Sequence, residues 1–216
     1  MNEPPGNPLS IELTVSHRRL FWHSADEDDY PERWDASADV SLPKAYADAD
    51  RHVADIRFLI ADLTGERNLL DSLGPGEWAV EFLAETVLDR AGRLRPELGA
   101  AISTGPPRMA ILRHVVVAER WRGRGLAAGL IAGALRILAP AARLAVCRVS
   151  AADFARTHPD RMSAELAGVR AGLMLERIGF RRWHGAHVID LRNPDLRDAR
   201  LESLDQWWPR AGDDQR

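Results

Sequence analysis

Apolar residues recur along the chain at two spacings, one typical of strands and one typical of helices. Ile11, Leu13 and Val15 alternate with polar residues, so they predict a first strand, which could continue through Leu20 and Trp22. Denser apolar runs predict strands at residues 53–63, 111–117, 144–149 and 187–191, the last preceded by one more short stretch around Phe180 and Trp183. The pattern therefore predicts five or six strands.

Three helices are predicted between these strands. They cover residues 77–90, residues 126–138 and a segment that begins near Ser163 and ends before Gly179. The residues predicted to face inward are Trp78, Phe82, Leu83 and Val87 in the first helix; Leu126, Leu130, Ile131, Ala134, Leu135 and Leu138 in the second; and Leu166, Val169 and Leu173 in the third.

The other segments carry fewer apolar residues and more breakers of regular structure. Residues 1–9 contain three prolines and a glycine, so we expect a flexible tail. The acidic segment 23–39 is predicted to be a solvated loop, with a flap that attracts a cationic amine as the alternative. Residues 92–107 and 150–162 are predicted to be irregular, and the segment after Pro194 to pack as a short helix.

The junction between the strand at 111–117 and the helix at 126–138 has the chemistry of an anion site. The first N–H groups of a helix have no partners within the helix, and its dipole places partial positive charge there. Gly123 and Gly125 allow a ligand to approach the main chain, and Arg122 and Arg124 add charge. The expected ligand is a phosphate or pyrophosphate.

Composition narrows the class of protein without naming a partner. The chain has 216 residues, 45% hydrophobic residues and a formal net charge of −3, which suits one ordinary globular domain and gives no indication of nucleic acid or membrane binding. Cys147, the one cysteine, is predicted to be structural, and no metal site is indicated. The first ten residues lack a secretory signal, so we expect a cytoplasmic protein.

A dinucleotide-binding site is the first alternative to consider, because residues 123–128 match the pattern G-x-G-x-x-A. In that fold the glycines follow the strand directly, whereas five residues intervene here. The acidic residue expected about 20 positions later is also absent. A plain arginine-rich surface turn is the second alternative, and it does not explain why the glycines stand at a helix start after a buried strand.

Two motifs resemble the GNAT superfamily of N-acyltransferases. Arg122, Gly125 and Ala127 match the family signature Q/R-x-x-G-x-G/A, and residues 171–180, AGLMLERIGF, resemble its segment A-x-x-L-Y-E-K-x-G-F. A predicted strand separates them and another follows at 187–191, so the resemblance covers residues 108–191. It implies an α/β fold with a mixed, mostly antiparallel central sheet flanked by helices. Two neighbouring parallel strands would splay apart to form an acyl-CoA cleft.

The resemblance also implies a binding mode for acetyl-CoA. The strand ending at Val117 would pair its free backbone groups with the pantetheine amides, and the glycine loop would hold the pyrophosphate through its N–H groups. The residues expected to contact the co-substrate are Val115, Val117, Arg122, Gly123, Arg124, Gly125, Ala127 and Ala128. We expect residues 10–192 to form one domain, followed by a tail at 193–216.

The chain departs from the family on the acceptor side. Leu175 stands where the family has the tyrosine that protonates the leaving thiolate, and Gly168 stands where an asparagine is common. The link after Val149 is also longer than usual. His114, Glu119, Asp153, His158 and His184 are weak candidates for the general base, so the catalytic residues stay unknown.

The sequence therefore favours an acetyl-CoA-dependent N-acetyltransferase that acts on an amine of a small molecule or peptide. The alternative is a GNAT-like module that binds acyl-CoA without turnover, as a sensor or interaction module. A homodimer is left open.

Overall fold

The computed structural model describes residues 5–18, 30–41, 51–155, 157–205 and 207. Its strands are β1 (Ile11–His17), β2 (Glu32–Val40), β3 (His52–Asp62), β4 (Arg108–Val117), β5 (Leu144–Cys147), β6 (Arg181–Trp183) and β7 (Ala186–Asp190). Its helices are α1 (Trp78–Val87), α2 (Pro96–Ala101), α3 (Leu126–Leu138), α4 (Ala151–Phe154), α5 (Arg161–Arg177) and α6 (Asp195–Asp205).

The strands form one seven-stranded sheet in the order β1-β2-β3-β4-β5-β7-β6. Only β4 and β5 run parallel, and every other neighbouring pair in this sheet is antiparallel. A parallel pair needs a crossover connection, and α3 supplies it. The predicted fold class, a mixed and mostly antiparallel sheet flanked by helices, is confirmed.

The parallel pair separates soon after it forms. Only three positions pair, from Met109 with Leu144 to Ile111 with Val146, whereas β4 continues to Val117. On its other edge β4 stays paired with β3 as far as Val117. Within the described part of the chain, residues 112–117 therefore have no strand neighbour on the β5 side. The result is a wedge-shaped opening between the two strands.

A β-bulge marks the start of this wedge. Phe58 pairs with Leu112 and Arg57 pairs with His114, which leaves Arg113 as an extra residue in β4. Bulges bend a strand and increase its twist, and they are enriched next to functional sites. The bulge also interrupts the strict alternation of side chains between the two faces of the sheet along β4.

Helices cover both faces of the sheet, because alternate strand residues point to opposite faces. Ala110 and Leu112 belong to a core cluster with the buried side of α3, and Met109 and Ile111 belong to a second cluster with α1 and α2. α6 packs on α3, where Leu196 and Ala199 are buried, so the predicted C-terminal helix is confirmed. The prediction of a tail at 1–9, a domain at 10–192 and a tail at 193–216 stays a prediction.

The acidic segment is predicted incorrectly in its second half. Residues 32–40 form β2, which lies between β1 and β3, instead of a solvated loop. Ala36, Ala38 and Val40 are buried and the residues between them are polar, so a strand pattern was present. Two of its three inward residues are alanines, too small to stand out as an apolar run. Residues 23–29, like Leu20 and Trp22 of the expected extension of β1, lie outside the described residues.

The inward face predicted for α5 is wrong. Leu166, Val169 and Leu173 are exposed, and the helix buries Ala164, Gly172 and Leu175 instead. The buried residues include small ones because the helix lies close to the sheet, where a Cβ on Gly172 would come 3.4 Å from His187 Nε2. The helix thus turns its larger apolar residues outward.

Smaller differences concern element ends. α1 ends at Val87 rather than near Arg90, and its predicted inward residue Trp78 is exposed. Residues 92–107, predicted to be irregular, contain the short helix α2.

No helix in the described part of the chain is long and apolar enough to cross a membrane.

The packing of α3 gives a test of the core. Leu135→Ala should lower the free energy of unfolding by about 2–5 kcal/mol, because Leu135 is 0% exposed and its removal leaves a cavity. Ile137→Ala on the same helix is the matched control; it is 48% exposed and should change stability by less than about 0.5 kcal/mol. Urea denaturation measures both, and equal losses would contradict this orientation of α3.

Candidate functional site

The wedge opens directly onto the loop that joins β4 to α3. A 3₁₀ turn, Glu119–Trp121, follows the end of β4, and Trp121 is 1% exposed within the core. The indole anchors the turn by burying its large ring. The glycines Gly123 and Gly125 follow at once, and α3 begins at Leu126.

The backbone of this loop has the shape that an anion site requires. Gly125 precedes the helix with φ 74° and ψ 4°, and no side chain among the described residues caps the helix start. Gly123 has φ 72°, and apart from its two chain neighbours no atom of the described residues lies within 4 Å of the position that a Cβ would occupy. The first N–H groups of α3, including those of Ala127 and Ala128, have no partners within the helix. The loop therefore has the backbone features that were expected of a pyrophosphate site.

The two loop arginines partly turn back on the main chain. Arg122 Nε donates a hydrogen bond to the Val117 carbonyl oxygen at 2.8 Å, and Arg124 Nε donates to the Arg120 carbonyl oxygen at 3.4 Å. The first of these bonds occupies one carbonyl of the strand that was expected to guide pantetheine. Both guanidinium groups still place positive charge beside the loop.

The eight predicted contact residues occupy one continuous path. Val115 and Val117, both half-buried, lie on the part of β4 that borders the wedge. Residues 122–128 then continue from its end to the first turn of α3. Their role in binding stays a prediction, because the structure gives only their positions.

Sequence reasoning missed the groups on the opposite face of the wedge. Arg113 at the bulge forms an ion pair with Glu77, the residue just before α1. Arg148, directly after β5, stacks on two aromatic rings of α1, with Cζ 4.5 Å from the Trp78 ring centre and 4.7 Å from that of Phe82. The first turns of α1 therefore touch both walls of the wedge. No local pattern in the sequence signals this meeting.

A separate cavity of about 470 Å³ lies beside α5 where β5 ends. It is lined by Gly168 and Gly172, by residues 149–151 and by His187 of β7. His187 is 8% exposed, and neither ring nitrogen bonds to a described residue. Burial, and then the nearby charge of Arg182, hold the pKa of His187 below its usual range. The imidazole is therefore neutral near pH 7.

Three of the five candidate bases named from the sequence make local structural contacts. Asp153 caps α4 by accepting from Ser150, and His158 contacts the Thr157 hydroxyl. His184 lies in the tight turn between β6 and β7 and packs edge-on against Trp183. Each has a structural role that accounts for its position.

The structure also shows the surroundings of Cys147 and Leu175, to which the sequence assigned no catalytic role. Cys147 is buried, and burial raises the pKa of its thiol to about 12, so it stays protonated, as the structural assignment predicted. Leu175 is buried in the core that contains α3.

Tyr30 bonds through its hydroxyl to Arg67 and Asp62, on the β2–β3 side of the sheet. Tyr46, the other tyrosine, lies outside the described residues.

Comparison with protein-family models finds no match. Comparison with curated protein sequences finds none either. Among solved structures, that of Arabidopsis thaliana NAA60 in complex with acetyl-CoA is similar over 74% of this chain and 77% of that chain, with a TM-score of 0.39 and 14% sequence identity. The GNAT family therefore stays a resemblance carried by the motifs of this chain.

The loop geometry gives a direct test of anion binding. Gly125→Asp should weaken CoA binding about tenfold or more, because about 1.4 kcal/mol of charge repulsion suffices for a tenfold change. Gly76→Asp is the matched control, since Gly76 shares the positive φ of Gly125 and has open space around its own Cβ position. Isothermal titration with CoA measures both variants, and similar affinity in the two would contradict the assignment of this loop.

Proposed function

We propose that this protein is an acetyl-CoA-dependent N-acetyltransferase whose acceptor is an amine. The main support is one juxtaposition: the parallel strands β4 and β5 separate after Ile111 and Val146, and β4 then leads into a glycine-rich helix start without a side-chain cap. The wedge provides free backbone groups, and the loop provides N–H donors for an anion. A long, thin ligand with a pyrophosphate at one end suits both.

The residues that would hold the co-substrate follow from this geometry. Backbone groups of Val115 and Val117 would accompany the pantetheine arm, and the loop from Arg122 to Ala128 would hold the pyrophosphate. Acetyl-CoA supplies the acyl group already activated as a thioester. The part played by the protein is then to position the amine and to hold the wedge open.

Two contributions to the reaction can be assigned to the chain. A backbone N–H on the free edge of β4 is suited to stabilise developing negative charge on an oxygen, because the wedge keeps it from pairing with β5. Holding the amine next to the thioester carbonyl carbon would supply most of the remaining rate acceleration through proximity. Leu175 cannot transfer a proton, so water or another side chain would have to do so.

The second candidate function is binding of acyl-CoA without turnover. Its support is the position of Leu175, which is buried among apolar side chains instead of presenting a hydroxyl group. Such a protein would use the same loop and wedge and would act as a sensor or as an interaction module. The two functions share the co-substrate and differ only in turnover.

The test separates these functions in two steps. Saturating CoA should raise the melting temperature, because a ligand at 100 times its dissociation constant stabilises the folded state by about 2.7 kcal/mol. Acetyl-CoA is then incubated with amino acids, polyamines, aminoglycosides and peptide N-termini, and released thiol is measured. Stabilisation with turnover supports the enzyme. Stabilisation without turnover supports the binding module, and no stabilisation contradicts both.

A further inference from the structure

The open side of the wedge that faces α1 is flanked by two arginines. Arg113 extends from the bulge in β4, and Arg148 follows the last residue of β5. Glu77 holds the first through an ion pair, and the rings of Trp78 and Phe82 hold the second. Two positive charges thus lie at the place where the strands part, on the face opposite to α3.

The two arginines differ in how their charge is compensated. Arg113 has the Glu77 carboxylate. Arg148 forms no ion pair and donates no hydrogen bond to any residue that the structure describes, and its Nη1 is shielded from solvent. A guanidinium has five N–H donors, and stacking on aromatic faces is a favourable contact that neither neutralises its charge nor supplies acceptors for those donors. Nη1 of Arg148 is therefore a shielded donor without an acceptor among the described residues.

A second donor without an acceptor belongs to the same neighbourhood. Trp183 Nε1 is buried and bonds to no described residue. Trp183 and Phe82 pack against the same core cluster, and Gly185 of the β6–β7 turn approaches so closely that a Cβ there would lie 3.2 Å from Phe82 Cζ. The turn, α1 and the end of β5 thus converge around one set of aromatic rings.

We propose that Arg148 binds a carboxylate on the acceptor molecule, so that the acceptor is an amine that carries a carboxylate, such as an amino acid. Arg148 contributes one uncompensated positive charge, which one carboxylate neutralises; a phosphate dianion would need more. The planar guanidinium fork matches the two oxygens of a carboxylate. The aromatic rings fix the fork in place, so little freedom is lost on binding.

This inference rests on the proposed function, which supplies the amine and the co-substrate, and it adds the chemical class of the acceptor. It assigns Arg148 to binding and not to the chemical step. Arg148 variants should therefore change acceptor affinity while leaving CoA affinity unchanged.

The experiment compares each standard amino acid with the amine obtained by removing its carboxylate, for example phenylalanine with phenethylamine. Binding to wild-type protein is measured by thermal shift and isothermal titration, with and without saturating CoA, so no turnover is needed. At least one pair should show a preference for the carboxylate of about tenfold or more, as expected for charge-assisted hydrogen bonds. Arg148→Gln should abolish this preference, and Arg148→Lys should keep part of it.

Arg136→Gln is the matched control, because Arg136 is exposed on α3, on the other face of the sheet. It should keep the full preference. Circular dichroism checks that the Arg148 variants fold. If Arg148→Gln does not fold, the test relies on Arg148→Lys, which keeps the positive charge. The proposal is overturned if no amino acid binds better than its decarboxylated amine, or if the preference survives in Arg148→Gln. Failure of CoA to bind contradicts the proposed function, while the measurement without CoA still decides the role of Arg148.

A different observation concerns the outer face of α5. Met162, Leu166, Val169 and Leu173 are 78%, 48%, 55% and 48% exposed. Their spacing of four, three and four residues places them in one line along the 17-residue helix, as in the seam of a coiled coil. Four large apolar side chains in one exposed line are unusual on a surface that contacts only water.

The charges beside this seam fit a second copy of the same helix. In a parallel pair of helices, a residue on one flank faces the residue five positions later on the other flank of the partner. Glu165 and Arg170 are exposed, flank the seam on opposite sides and are five positions apart. A two-fold parallel pair would therefore bring Glu165 of each chain to Arg170 of the other.

We infer that the seam of α5 is the contact surface of a homodimer. Its four side chains cover less area than the roughly 800 Å² per partner of a standard interface, so the dimer should be weak and concentration-dependent. Sedimentation velocity over the micromolar range should show this equilibrium. Leu166→Ser should shift it to monomer, whereas Leu201→Ser, at an exposed site on α6, should leave it unchanged.

The register is tested by reversing the charges. Glu165→Arg and Arg170→Glu should each weaken the dimer through like-charge contacts, and the double variant should restore it. Circular dichroism checks that the helix persists, because Glu165 also pairs with Arg161 in its own chain. A monomer at all concentrations overturns the dimer, and a double variant that stays weak overturns the parallel pairing.

Discussion

The separation of β4 from β5 is the constraint on which the rest of the structure depends. Backbone N–H and carbonyl groups need partners when they leave water, so a strand with one bare edge is unfavourable unless something else holds it. Here β3 pairs with β4 along its whole length, which keeps β4 extended after β5 has diverged. The bulge at Arg113 lies where the divergence begins. The wedge is thus maintained by the antiparallel half of the sheet.

The two faces of the sheet present different chemical groups at the wedge. On one face, the glycine loop and the N-terminus of α3 offer N–H groups at the end of β4. On the other, α1 touches β4 through Glu77 and β5 through Trp78 and Phe82, by way of the two arginines. Under the proposed function, the donor would bind at the α3 face of this opening and the acceptor at the α1 face.

Much of this arrangement could be predicted because it is local in sequence. A run of β-branched residues, two glycines and a helical apolar pattern follow one another, and their physical consequences do not depend on distant parts of the chain. Where a distant contact decides the outcome, prediction failed. β2 is buried by neighbours that its alanines do not reveal, and α5 turns Leu166 and Leu173 outward because Gly172 must lie near His187. The stacking of Arg148 on Trp78 joins residues 70 positions apart, which no spacing rule can show.

The two arginines bear on the protonation of the amine if they border the acceptor site as proposed. An amine attacks a thioester only when it is uncharged, and nearby positive charges disfavour the ammonium form. Arg113 and Arg148 would favour the neutral form of the amine, while Glu77 and the carboxylate of the acceptor would offset much of this effect. Deprotonation would then occur on binding, with water as the proton acceptor. Water would thus serve as the base, whereas the proton that a tyrosine at position 175 would give to the departing thiolate would have to come from water or another side chain.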